Sequence, residues 1–306
     1  MRIMFLANRY HGVISHLLKE SSGISYFAHM LSPNPELINR DMDEEVWEGI
    51  RKVYTQGILE RCHLACITSL ARADRWLQSV RVEMASGNVL GFSAALRGFL
   101  EAAADSHDVM KILPTSIHKL FPYLYLVFSD SIEVKNINLL MGELEDRLIH
   151  YAYARRLHKG EEHLPHHGHK SNADYIEKFE AFGVPGAKNL YAELCELTHP
   201  ASLSVSCFYR ESEDAIVLDF NRDAEMIKSI LTRFDETVER LVQFSINPAL
   251  IGLSYLHRLF DEWPGPADEE VARLGTVEQR LSEIDGFVSA YKLGQVDRVM
   301  LQKALT

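Results

Sequence analysis

"LGFSAALRGFLEAAADSHDVMK", residues 90–111, decides the fold class. Its apolar and small side chains follow the helical period, and Arg97, Glu101 and Asp105 form one polar line across them at i, i+4 and i+8. A charged line on such a helix is either its solvated side or an inward, pre-organised site. The arginine precedes the glutamate, the weaker orientation for a surface pair. If the helix is central, Arg97 must be paired and hydrogen-bonded to be buried.

The same period dominates outward from this stretch. Residues 2–20 read as a first amphipathic helix, and "SPNP" at 32–35 as a loop. Asp41 or Asp43 caps a long helical stretch to Ser86, with Gly57 a candidate break and Gly87 the stop. Pro114 and Pro122 punctuate the segment after residue 111, and residues 129–158 read as another long helix. Helices are expected at about 173–182 and 187–198. After Pro200 the period changes: "LSVSCFYR" and "AIVLDF", separated by "ESED", predict a small β-hairpin within about 203–220. A helix from Asn221 or Asp223 to Phe244 comes next, then another from Pro248 to "WPGP" at 263–266. The expectation is a mainly α fold: a multi-helix bundle domain over 1–263 and a C-terminal helical appendage over 267–306, with the Pro/Gly cluster as linker.

In the appendage, "TVEQ" at 276–279 has the form of a capping box. Val277, Leu281, Ile284, Val288 and Tyr291 then make an a/d stripe two heptads long. It suits packing on the protein's own body, or a protein partner or dimer mate.

The chain has 306 residues, 47% hydrophobic and 25% charged, which are globular values with length for a sizeable core. A net charge of −11 weighs against a broad nucleic-acid-binding face. Four cysteines without a regular framework point to a reducing compartment. The N-terminal stretch is interrupted by Arg9, His11 and His16 and lacks a signal peptide's apolar core. No apolar run approaches the roughly 18 residues of a membrane span. A cytoplasmic protein is expected.

"NLYAELCELTHPA", residues 189–201, carries the clearest functional lead. Leu190, Leu194 and Leu197 form a buried face, while Tyr191, Cys195 and His199 step by four along another. Pro200 pushes His199 out of helical geometry, to the helix C-terminus, where partial negative charge favours imidazolium. A histidine held there serves as a general acid, a phosphate contact, a metal ligand, or simply a cap on a late carbonyl.

The Arg-x-x-x-Glu of residues 97–101, the Tyr-x-x-Leu-Cys-Glu-x-x-His-Pro of residues 191–200 and the short β segment after it resemble a group of uncharacterised bacterial helical proteins, some similar to the HEPN (higher eukaryote and prokaryote nucleotide-binding) superfamily. The resemblance spans about 90–215. It implies a helical bundle and a link to RNA cleavage or to toxin and antiviral defence systems. HEPN ribonucleases carry an arginine, then four to six residues, then the histidine. Here Ala192, Glu193 and Leu194 occupy those places.

Two function classes emerge. The first is a helical interaction module without catalysis. The second is a metal-independent ribonuclease in which Arg97 and Glu101 organise the site with Tyr191, and His199 or His163 does acid–base work. Arg155 and Arg156 would then hold phosphate, with His163 beside them where a long helix runs out into a polar loop. Neither needs a metal or other cofactor. Metal-binding readings stand as further alternatives. The loop "HKGEEHLPHHGHK" at 158–170 holds five histidines. Cys62 and Cys66 could join Cys195 and His199 in a zinc site. Glu60–His63 and Glu196–His199 have the Glu-x-x-His spacing of a di-iron bundle.

Overall fold

The computed structural model describes residues 2–27, 43–132, 137–162, 166–168, 170–274 and 277–296, without the side chains of 137–141. Among the described residues the fold is mainly α, with one two-stranded antiparallel hairpin. The helices are α1 (Arg2–Glu20), α2 (Glu44–Ser86), α3 (Val89–Met110), α4 (Leu113–Phe128), α5 (Ile137–Tyr153), α6 (Asn172–Phe182), α7 (Ala187–Thr198), α8 (Ser202–Ser206), α9 (Asp223–Arg233), α10 (Asp235–Leu259), α11 (Asp268–Ala272) and α12 (Glu278–Lys292). The strands are β1 (Tyr209–Glu211) and β2 (Ile216–Leu218). No helix among the described residues is long and apolar enough to cross a membrane.

Two compact units divide the chain. Unit 1 comprises Met1–His16, Thr68–Asp108 and Lys170–Asn247; unit 2 comprises Leu17–Ile67, Val109–His169 and Pro248–Thr306. The division falls inside α1, α2 and α10.

In unit 1, α3 buries Phe92, Leu96, Phe99 and Leu100 completely, and α7 buries Leu190 and Leu194. The cap of α3 comes from far along the chain: the Val89 N–H donates to Asp223 Oδ1 at 3.0 Å. Helix α6 begins with a capping box from Ser171 and Asp174 and packs on α7. The turn between them needs glycine. Gly186 has φ of 80°, and a β-carbon there would lie 2.8 Å from the Thr237 hydroxyl. The hairpin is smaller than the sequence suggests, because Ser202–Ser206 forms α8.

In unit 2, α4 shows where local punctuation rules fail. Pro122, expected as punctuation, lies inside it, while Pro114 marks its start. Pro114 sits in the first turn, where its missing N–H is not needed. Around Pro122, Leu120, Phe121, Tyr123 and Leu124 are buried. At about 1.5–3 kcal/mol each, their burial outweighs the roughly 3 kcal/mol cost of an internal proline. Likewise α10 runs through Pro248, next to buried Ile246, Ala249 and Leu250, and the break falls at Phe234 instead. Gly57 does not interrupt α2. The long helix expected over 129–158 is shorter at both ends: Asp130, at φ of 55°, reverses the chain after α4, and α5 ends at Tyr153.

Helix α12 packs on α4. Val277, Leu281 and Ile284 of the a/d stripe are buried within the chain. Val288 is half-buried. Tyr291 meets the Tyr125 ring edge-on, and its hydroxyl pairs with that of Ser131 at 2.7 Å. Thr276 of the expected capping box lies outside the described residues. The "WPGP" segment is held in place: Trp263 is buried and its carbonyl accepts from His257 Nδ1 at 2.7 Å.

Candidate functional site

Helices α3 and α7 bring the sequence-selected residues together in unit 1. Helix α7 buries its leucine face, which turns Tyr191 and Cys195 to half-buried positions and leaves His199 exposed. Pro200 acts as expected: His199 is the C-cap, with extended φ of −104° and ψ of 162°, and its N–H closes the helix on the Cys195 carbonyl at 2.9 Å.

Arg97 reaches this helix end from α3. Its Nε donates to Glu101 Oε1 at 2.9 Å. Its Nη1 donates to Thr198 Oγ1 at 3.0 Å and to His199 Nε2 at 2.9 Å. The guanidinium can only donate, so His199 Nε2 is the acceptor of this contact. Tyr191 stands beside the guanidinium, ring centroid 5.7 Å from the arginine carbon, and its hydroxyl donates to the same Glu101 Oε1 at 3.1 Å. Thr198 keeps its own hydroxyl proton for the Leu194 carbonyl at 2.8 Å, so it faces Arg97 as an acceptor. Among the described residues the second amino group of Arg97, Nη2, makes no hydrogen bond.

The electrostatics follow from this geometry. Burial works against charge on Arg97, but the hydrogen bond and charge of Glu101 outweigh it and raise the guanidinium pKa. The Tyr191 hydroxyl is pushed up to about 12, first by burial, then by the Glu101 carboxylate and Cys195. Tyr191 therefore stays a neutral donor. Arg97 is held on three sides by a carboxylate, an aromatic face and a helix end. Among the described residues one edge of it remains open beside an exposed imidazole.

The polar line of α3 continues past this cluster. Asp105 pairs with Arg72 at 2.7 Å, and Asp108 with Lys170 at 3.0 Å. Every acid on the line has a cation, which is how an otherwise apolar helix carries them. Sequence reasoning missed Thr198, although its place just before a cap histidine was a usable signal.

The other selected residues belong to unit 2. Arg155 is exposed and ion-paired with Glu161, and Arg156 is exposed. His163 and His169 lie outside the described residues. Within the histidine loop, His166 Nε2 sits 3.3 Å from Asp146 and its carbonyl accepts from His150 Nδ1 at 2.7 Å. His167 stacks on Tyr153. Among the described residues no group of three or more His, Cys, Asp or Glu side chains is placed to hold a metal ion. Cys62 and Cys66 are fully buried, and that burial pushes both thiols up.

Glu60 and His63 instead form a buried cluster. The Glu60 carboxylate accepts from the Phe27 N–H at 2.7 Å and from Gln56 Nε2 at 3.1 Å. His63 Nε2 faces the Pro264 carbonyl at 3.4 Å, which can only accept, so the Tyr26 hydroxyl donates to Nδ1 at 2.7 Å. Trp263 packs on the ring at 5.2 Å. Burial drives the imidazole pKa down to about 4. The two groups fasten chain segments to α2.

Comparison of the chain with family models, with curated proteins and with solved structures returned no match.

Proposed function

We propose that this chain is a helical binding module whose point of recognition is the Arg97–His199 pair, and that the group recognised is an oxyanion, a phosphate oxygen being the best match. The open Nη2 edge of Arg97 beside an exposed imidazole carries this reading. Guanidinium and phosphate pair through parallel N–H···O bonds, and an arginine already fixed by Glu101 and Tyr191 loses little freedom on binding. An arriving oxyanion would bridge the open edge of Arg97 and the neighbouring imidazole. Glu101 offsets the local charge, so binding rests on donor geometry and is modest and salt-sensitive. Titration with inorganic phosphate and with a short single-stranded RNA, followed by NMR, tests it. The amide signals around 97–101 and 195–200 should move, and Arg97→Lys and His199→Ala should abolish the response. Unmoved signals at low salt sink the proposal.

A second reading is metal-independent RNA cleavage, with a role in bacterial defence as the resemblance implies. One observation favours it: Arg97 of α3 stands where the run before His199 has no arginine. Incubation of wild type and His199→Ala with labelled RNA and tRNA, with and without EDTA, decides. Cleavage that survives EDTA and is lost in the variant supports it. Absence of cleavage by a folded wild-type protein leaves the binding module alone.

A further inference from the structure

The hairpin presents an apolar strand that nothing in the described chain covers. Ile216, Val217 and Leu218 are each more than half exposed, so β2 is open on both faces. Val205 of α8 and Phe220, two residues past β2, are also exposed. Its register is defined: Tyr209 pairs with Leu218, Arg210 with Val217 and Glu211 with Ile216. The Asp219 N–H donates to the Phe208 carbonyl at 2.8 Å, and the Ser212 N–H to the Ala215 carbonyl at 2.9 Å. Hydrogen-bonded and non-hydrogen-bonded pairs alternate in an antiparallel ladder. Ala215, Val217 and Asp219 therefore spend their backbone groups on β1. Ile216 and Leu218 aim theirs at the outer edge of the sheet.

The two edges of the hairpin are treated differently. The outward carbonyl of Tyr209 on β1 accepts from Arg222, which also holds the Ser206 carbonyl, and α8 packs beside that strand. The β2 edge has no such cover among the described residues, and no lysine, proline or bulge guards it.

We infer that β2 pairs with β2 of a second copy of this chain, antiparallel about a two-fold axis through Val217, to make a four-stranded sheet. The edge is self-complementary in this register. Ile216 of one protomer lies opposite Leu218 of its partner, and both carry outward N–H and carbonyl groups, so four backbone hydrogen bonds close without any shift. Ile216 and Leu218 of both protomers share one face and the two Val217 side chains meet on the other. The charges permit it: Asp219 falls opposite Ala215, and Glu213 and Asp214 lie in the hairpin turn beyond the paired stretch, so no two acids stand directly opposite each other. Asp219 is already held by Arg210 at 2.6 Å and by the Asn221 N–H at 3.1 Å. The strand is short and its patch is smaller than a standard interface, so the dimer is weak and depends on concentration.

Sedimentation across the micromolar range tests this, with circular dichroism confirming that each variant keeps its helices. Wild type should pass from monomer to dimer, and Val217→Lys, which sets two ammonium groups face to face on the axis, should weaken the dimer about tenfold or more. Independently, Val217→Cys places two thiols at a non-hydrogen-bonded pair and should give a covalent dimer on mild oxidation. Asp214→Cys, whose copies lie about 20 Å apart in this register, and wild type should not. A wild type that stays monomeric, together with a Val217→Cys variant that forms no disulfide-linked dimer, overturns the inference. So does a dimer that Val217→Lys leaves intact, or a β2 edge that takes only an extended peptide from another protein.

Discussion

Each unit builds a cluster from the same three residue types. In unit 1 Glu101, Tyr191 and His199 gather around Arg97 at a helix end. In unit 2 Glu60, Tyr26 and His63 gather beneath Trp263 on the side of α2. Water makes the difference. His63 is fully buried, both its nitrogens are engaged, and its pKa falls. His199 is exposed and, among the described residues, has one protein partner at one nitrogen. A fully satisfied, dry cluster holds chain segments in register. A half-satisfied, wet one has bonds left to offer a ligand.

The contrast predicts opposite responses to mutation. The largest effect is expected at the buried cluster. His63→Ala opens a cavity and strands the Tyr26 hydroxyl and the Pro264 carbonyl, at a cost of about 3 kcal/mol or more in chemical denaturation. His199→Ala should cost a small fraction of that, and equal losses would erase the distinction.

Acid sharpens the comparison next. The unfolded chain takes a proton on residue 63 at an ordinary 6.5, the folded chain only at about 4. Stability from the neutral buried ring is therefore complete above 6.5 and is lost as pH falls from 6.5 to 4, by about 3 kcal/mol in all. In His63→Gln that share of the acid loss should vanish. Parallel stability–pH curves for the two proteins would show that His63 is not the buried neutral group.

A smaller effect is expected beside the exposed cluster. A β-carbon at Gly98 would lie 2.5 Å from the Trp76 indole. Gly98→Ala should lose about 1–2 kcal/mol: overpacking of about 1–3 kcal/mol, partly offset by better helix propensity. Because Trp76 is partly exposed and can shift, its fluorescence should move as well. Unchanged stability and emission would mean the ring yields freely.

Smallest of all in stability are Arg97→Lys and Glu101→Gln, each within about 1 kcal/mol, as for partly exposed ion pairs. A lysine keeps the charge but cannot reach Glu101, Thr198 and His199 at once. Stability near wild type with anion binding gone is the expected pairing of results. A loss as large as that of His63→Ala would make Arg97 a structural strut.

The exposed cluster was largely legible because its parts are local. Arg97–Glu101 and Tyr191–Cys195–His199 follow from four-residue spacing, and the break at His199 from the proline after it. That the two sets would meet was not legible, because Arg97 and Thr198 are 101 residues apart. The buried cluster was legible only as a Glu-x-x-His spacing. Its meaning came from Tyr26 and Pro264, which lie 37 and 201 residues from His63. Pro122 and Pro248 failed as signals for the same reason: the apolar neighbours that keep their helices intact find partners that no local window contains.

Pro200 has no side-chain donor or acceptor to offer the cluster, yet it determines where the imidazole stands. A ring placed by backbone stereochemistry arrives already posed, and capture of a ligand then demands no ordering of that residue. A screen for variants that no longer bind would return position 200 among its hits. Read as a map of contacts, that screen would mistake a conformational instruction for a point of touch.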